Sequence, residues 1–141
     1  MISNNKLKHS LGVAKACRQY GEELHKSEEY CDALFVMGFL HDIGYEKSPD
    51  TSHPSVGCSM IESFIKHPEM LEAIKNHGKK FKDLNTVDTI LNMSDLTVSY
   101  NGKPCTVYER LDGIKECYGE DSEHFKNAML LFEASGLNED L

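Results

Sequence analysis

The chain has 141 residues, of which 40% are hydrophobic and 27% charged, as expected for one globular domain with a real core. Its formal charge of −8 argues against a long nucleic acid as a partner, whereas a small phosphorylated molecule remains compatible because bound cations can reverse the local field. No apolar run reaches about 18 residues and the N-terminus lacks a secretory h-region, so we expect neither a membrane span nor a signal peptide.

Apolar residues recur at three- and four-residue steps along most of the chain, which predicts helices. The first covers residues 5–25 and the second residues 28–43. The second is apolar on nearly all sides, so we expect it at the centre of the fold. Pro54 and Pro68 are placed at the first position of a third and a fourth helix.

The second half of the chain carries clear helix starts. Asn85 resembles the N-cap of a fifth helix, and Thr106 and Glu109 form a capping box for a sixth. A seventh helix is predicted over residues 122–135. Since no convincing alternating strand pattern appears, we predict an all-α protein, a compact bundle of about six to seven helices in a single domain.

Five cysteines are scattered without a CxxC pair: Cys17, Cys31, Cys58, Cys105 and Cys117. An odd number of cysteines without a signal peptide indicates reduced thiols, and we predict a cytoplasmic location.

The segment "VMGFLHDIGYEK", residues 36–47, places His41 and Asp42 directly after an apolar run. A buried, hydrogen-bonded pair that holds the second helix is one interpretation, and a metal site is the other. The dipeptide alone is weak evidence, so its partners elsewhere in the chain decide between the two.

Other ligand-type residues stand on other predicted helices. His9 lies beside the apolar stripe of the first helix, His53 at the start of the third, His77 in the last turn of the fourth and Asp95 in the fifth. Their alternative roles are a core histidine for His9, an N-cap for His53 and a dipole-stabilised C-terminal histidine for His77.

Together with the dipeptide, these residues make four histidines and two aspartates from five helices, a set that could meet in a bundle core as metal ligands do. Imidazole and carboxylate donors suit Mn, Fe, Zn or similar divalent ions, and six ligands suit two adjacent ions better than one tetrahedral ion.

An ordered set of motifs resembles the signature of the HD-domain superfamily: "LKHSLGVAKA", "FLHDIGYEK", "HPSVG", "NHG" and "NMSDLTV". The four letters "HDIG" match the commonest form of its His-Asp dyad. The run "YNGKPCTVYERLDGIKECYGED" is similar to the tail of small bacterial HD proteins. The resemblance covers roughly residues 5–122.

The resemblance implies a single all-α HD domain over residues 1–141, with its core at 5–122 and a C-terminal helix at 122–135. The implied activity is metal-dependent hydrolysis of a nucleotide or another small phosphate ester, with one or two divalent ions (Fe, Mn, Mg, Zn or Ni). Among the carboxylates of the ligand set, Asp42 is our candidate for the proton acceptor. The implied metal ligands are His9, His41, Asp42, Asp95 and, for a second ion, His53 and His77.

Tyr45 stands where many HD proteins carry a lysine that can touch phosphate. Lys79 and Lys80 could supply that charge, although such a pair is most often a solvated helix end. Arg18, nine residues after His9 and predicted on a similar face, and Arg110 could each bind a phosphate in bidentate fashion. The alternative for both arginines is a surface salt bridge.

Two other functions remain open at this point. Some HD proteins with the fuller histidine set are di-iron oxygenases, which need Fe and consume O₂. The site could also belong to a non-catalytic sensor that binds a metal and a nucleotide, which ligand-dependent stabilisation without turnover would indicate.

Overall fold

The computed structural model describes residues 4–42, 65–77 and 84–135. These ranges contain the following helices: α1 Asn4–Glu23, α2 Glu28–Leu40, α3 Pro68–Asn76, α4 Thr86–Leu96, α5 Val107–Tyr118 and α6 Glu123–Ser135. The extended pairing found among these residues is a single bridge between Val98 and Pro104. The all-α prediction is therefore confirmed, while the helix predicted to start at Pro54 lies outside the described residues.

Local capping explains where several helices begin. The Asn85 side chain accepts a hydrogen bond from the Asp88 backbone, and Thr106 accepts one from Glu109, each as part of a reciprocal capping box. Ser27 caps α2. The two predicted capping starts of α4 and α5 are confirmed.

The core is built where α2 meets α1, α3 and α4. Fully buried side chains come from all of these helices, among them Leu34 and Met37 of α2. Gly38 lets α1 approach closely, because a Cβ there would lie 2.8 Å from the Cα of Ala14. The prediction that α2 lies at the centre of the fold is confirmed for the face that carries Leu34 and Met37. Val36, on the other side of the helix, is exposed.

A second, smaller apolar cluster joins α5 to α6 and contains Leu111, Ile114, Ala128 and Phe132. Both helices of this pair also contact α4, which attaches the pair to the rest of the bundle. None of the described helices is long and apolar enough to cross a bilayer.

The turn at residues 99–103 is seated directly on α1. Gly102 has a φ of +86°, and a Cβ at this position would overlap the carbonyl of Lys8. On the facing side, a Cβ at Gly12 would lie 2.6 Å from the carbonyl oxygen of Gly102. Two glycines thus allow backbone-to-backbone contact, which holds Ser99 beside the middle of α1.

Candidate metal centre

Three histidines each use one ring nitrogen to hold a backbone carbonyl. The contacts are His9 Nδ1 to Ser99 O at 3.0 Å, His41 Nδ1 to Gly38 O at 2.6 Å and His77 Nδ1 to Ile74 O at 2.6 Å. Because a carbonyl oxygen only accepts, each Nδ1 donates its proton, which leaves Nε2 for another partner. Histidines that bind metals are oriented by this kind of hydrogen bond.

The Nε2 atoms of the same histidines converge on two carboxylates. His9 Nε2 lies 2.8 Å from Asp95 Oδ1, and His41 Nε2 lies 3.1 Å from Asp42 Oδ2. His77 Nε2 lies 3.3 Å from the other oxygen of Asp42, Oδ1. We call these five residues, His9, His41, Asp42, His77 and Asp95, the His–Asp cluster. Asp42 lies between His41 and His77.

Helix ends explain how distant parts of the chain reach one point. His41 and His77 are the C-caps of α2 and α3, and each side chain turns back to the carbonyl three residues earlier. Asp42 follows the end of α2, and Asp95 lies in the last turn of α4. His9 lies in the second turn of α1, where it faces these ends.

The histidines of the cluster are buried, whereas the side chains of Asp42 and Asp95 are partly exposed. His41 is fully buried, and His9 and His77 are each 4% exposed. Burial lowers the pKa of His41, but the charge of Asp42, with a smaller effect of Asp95, outweighs it and raises this pKa to about 10. Burial raises the pKa of Asp95, whereas His41, His9 and Arg110 together lower it well below its usual range. The two carboxylates therefore create a field that favours a cation.

Within the His–Asp cluster, one buried nitrogen has no hydrogen-bond partner among the described residues. His41 Nε2 lies 3.1 Å from Asp42 Oδ2 but out of hydrogen-bond alignment. Leaving a buried polar atom without such a partner costs about 1–3 kcal/mol, so it calls for an explanation. A metal ion that takes the Nε2 lone pair would supply one.

The distances within the cluster suit a shared divalent ion. The ligand atoms of His9, His41 and Asp42 all lie within 4.8 Å of one another. Two atoms that bind one ion at about 2.1 Å and at right angles lie about 3 Å apart, close to the 2.8 and 3.1 Å separations of His9 from Asp95 and of His41 from Asp42. The mixed imidazole and carboxylate donors fit such an ion.

A model of the HD domain family matches residues 7–111 of the chain, a range that includes all five residues of the His–Asp cluster. The chain belongs to the HD domain family. Members of this family are mostly metal-dependent phosphohydrolases. No curated protein and no solved structure gives a significant match.

Arg110 of the HD domain contacts the edge of the His–Asp cluster. Its Nε donates to the backbone oxygen of Asp95 at 3.1 Å, and its Nη2 lies 3.3 Å from both Asp95 Oδ1 and His9 Nε2. The side chain is 13% exposed. The structure therefore brings this predicted phosphate-binding residue to the candidate metal site.

The structure does not bring Arg18 to the cluster of this HD domain. Arg18 pairs with Glu22 at 3.1 Å and with Asp32 of α2 at the surface. Nine residues make about two and a half helical turns, so Arg18 faces away from His9, and the predicted similar face is corrected. The other predicted site residues, His53, Lys79 and Lys80, lie outside the described residues.

Lys6, one residue before the matched HD range, is a cation near the cluster that the sequence patterns do not single out. It is partly buried on α1, three residues before His9 and therefore on a neighbouring position of the same helix face. Burial lowers the pKa of Lys6, while the charges of Asp42 and Asp95 raise it. The i and i+3 spacing from His9 was the signal available in the sequence.

Proposed function

We propose that this HD protein is a divalent-metal-dependent phosphohydrolase that acts on a small phosphate ester such as a nucleotide. The convergence of three Nε2 atoms on Asp42 and Asp95, each imidazole oriented by a backbone carbonyl, carries the proposal. A divalent cation held there would lower the pKa of a bound water toward about 7. The site then requires no covalent nucleophile from the chain, and Asp42 is the proposed proton acceptor.

The ligand arrangement supports four residues for a first ion: His9, His41, Asp42 and Asp95. The other oxygen of Asp42 faces His77, so Asp42, His77 and the predicted ligand His53 would hold a second ion. The nitrogen-rich donor set favours Mn, Fe, Zn or Ni over Mg.

Two cations border the cluster and suit a phosphoryl group. Arg110 belongs to α5, and Lys6 belongs to α1. Arg110 offers a planar set of donors that matches phosphate oxygens, and Lys6 adds a point charge within the electrostatic range of both aspartates. The chain as a whole carries a net charge of −8, which repels an anionic substrate. The positive charges of these two residues reduce that repulsion at the cluster, where the substrate has to approach.

We expect the Lys6→Met variant to raise the KM for a phosphate ester about tenfold, because one favourable charge contact with the substrate is worth about 1.4 kcal/mol. Methionine keeps the length and the apolar stem of the side chain. Lys8→Met is the matched control, since Lys8 is exposed on the same helix. Equal KM values for the two variants contradict a phosphate-binding role for Lys6.

A panel of phosphate esters, assayed with the purified protein after loading with Mn, Fe, Zn, Ni or Mg, tests the function itself. We expect metal-dependent release of inorganic phosphate that proceeds equally without oxygen. Activity that requires Fe and consumes O₂ instead indicates an oxygenase. Stabilisation by a nucleotide without turnover of any ester indicates a sensor.

A further inference from the structure

An open pocket of about 260 Å³ lies on the surface beside Arg110; we call it the cavity. One wall is formed by the turn that is seated on α1, and the other wall is formed by the first half of α5. The lining residues are Ser99, Tyr100, Asn101, Glu109, Arg110 and Gly113.

The cavity is joined to the His–Asp cluster by two of its own lining residues. The guanidinium of Arg110 lies 3.3 Å from Asp95 Oδ1, so the same side chain contacts a candidate metal ligand and lines the cavity. The carbonyl of Ser99 accepts the Nδ1 hydrogen bond of His9. A molecule whose phosphate contacts Arg110 therefore has room for its remaining atoms in this cavity.

The walls of the cavity are held in place before any ligand binds. In the turn, the Ser99 backbone donates to the carbonyl of Lys103 at 2.8 Å, and the Lys103 backbone donates to Ser99 Oγ at 3.1 Å. On α5, Glu109 Oε1 accepts from the Thr106 backbone at 3.0 Å. Such preorganisation lowers the entropy cost of binding.

The lining combines hydrogen-bond acceptors with apolar surface, which favours an uncharged ring that carries hydroxyls. The carboxylate of Glu109 and the amide oxygen of Asn101 accept hydrogen bonds from hydroxyls, and the ring of Tyr100, whose residue is 38% exposed, offers an apolar face. The charge of Glu109 disfavours a second phosphate at this place. The volume lies just below the range of about 300–1,000 Å³ that is typical of sites for drug-sized ligands, so it suits a single ring.

We propose that this cavity binds the sugar-sized, hydroxyl-bearing part of the substrate whose phosphate is bound at Arg110. This inference rests on the proposed function for the place of the phosphate. It assigns Tyr100, Asn101 and Glu109 to substrate specificity, and it excludes a polyanionic leaving group.

Gly113 provides a direct way to fill the cavity without disturbing the core. It lines the cavity, and a Cβ added there would meet no heavy atom within 4 Å. Gly113→Leu therefore projects a large side chain into the cavity, while Gly113→Ala adds a single methyl group and serves as the matched control. Both variants remove the same helix-interior glycine.

The test compares calorimetric binding of two hydrolysis-resistant probes to the manganese-loaded protein: the phosphonate analogue of ribose 5-phosphate, and methylphosphonate. We expect the wild type to bind the ribose probe at least about tenfold more tightly than methylphosphonate. Gly113→Leu is expected to lose this preference and Gly113→Ala to keep it, with methylphosphonate affinity equal in all three proteins.

The proposal is overturned if the wild type shows no preference for the ribose probe, or if Gly113→Leu retains the preference. Because the probes are not hydrolysed, the result does not depend on turnover. A wild type that prefers the ribose probe but cleaves no ester supports the cavity and contradicts the phosphohydrolase. A wild type that cleaves esters but shows no preference supports the phosphohydrolase and contradicts the cavity.

Discussion

The Asp42→Asn variant is expected to lose hydrolysis of every phosphate ester that the wild-type protein cleaves, by at least roughly a thousandfold in kcat/KM. Asp42 presents Oδ2 to His41 at 3.1 Å and Oδ1 to His77 at 3.3 Å. An amide of the same shape keeps the size of the side chain but removes the charge and replaces one oxygen by a nitrogen that cannot bind a cation. Steady-state kinetics on the best ester of the panel measure the effect.

Asp121→Asn is the matched control for this substitution, since Asp121 is an exposed aspartate in the turn between α5 and α6. It is expected to retain wild-type kinetics. Circular dichroism shows whether each variant keeps its helices. A well-folded Asp42→Asn protein with wild-type turnover contradicts the role of this carboxylate.

Gly102→Ala is expected to lower the free energy of unfolding by about 2 kcal/mol or more. A left-handed backbone costs a non-glycine residue about 1–2 kcal/mol, and the added Cβ overlaps the carbonyl of Lys8. Relief of this overlap moves the turn away from α1 and weakens the contact of Ser99 with His9, so we also expect weaker metal binding. Urea denaturation and metal titration measure the two effects.

Gly113→Ala provides a comparison of opposite sign. This glycine lies inside α5 with open space around it, so alanine is expected to raise the free energy of unfolding by about 0.5–1 kcal/mol. A Gly102→Ala protein as stable as the wild type would contradict the close backbone contact between this turn and α1.

The sequence was sufficient to predict the helical architecture because the signals involved are local. Apolar periodicity, the capping residues Asn85 and Thr106, and Pro68 at a helix start act within a few residues of chain, and the described helices begin where these signals place them. The C-terminal end of α2 is predicted less accurately. The predicted helix runs to residue 43, whereas the observed helix ends at Leu40, with His41 as the C-cap.

The convergence of the cluster was predictable in kind but not in detail. The sequence predicts His9, His41, His77 and Asp95 as ligand-type residues at apolar or helix-end positions, and the structure brings them together with Asp42. The carbonyl partners that orient the imidazoles depend on backbone geometry at helix ends, which residue types do not encode. The partner of His9 is 90 residues away, at Ser99.

Lys6 and Arg18 differ from expectation, and both show that helical spacing predicts which residues share a face with His9. Lys6 is three residues from His9 and shares its face, while Arg18 is nine residues away and faces the opposite side. Counting turns on the predicted helix is enough to make this distinction. The contact of Arg110 with Asp95, in contrast, depends on how α5 packs against α4, which no local pattern specifies.

The metal content of the purified protein tests the central claim most directly. Wild type, His41→Ala and Asp95→Ala are equilibrated with manganese, dialysed and measured by mass spectrometry for bound ions per chain. We predict at least about one bound ion per chain in the wild type. Even outer partners of metal ligands are worth about 10–100-fold in metal affinity, so each variant is expected to bind manganese at least tenfold more weakly and to lose it on dialysis. Full metal content in both variants would contradict the assignment of this site.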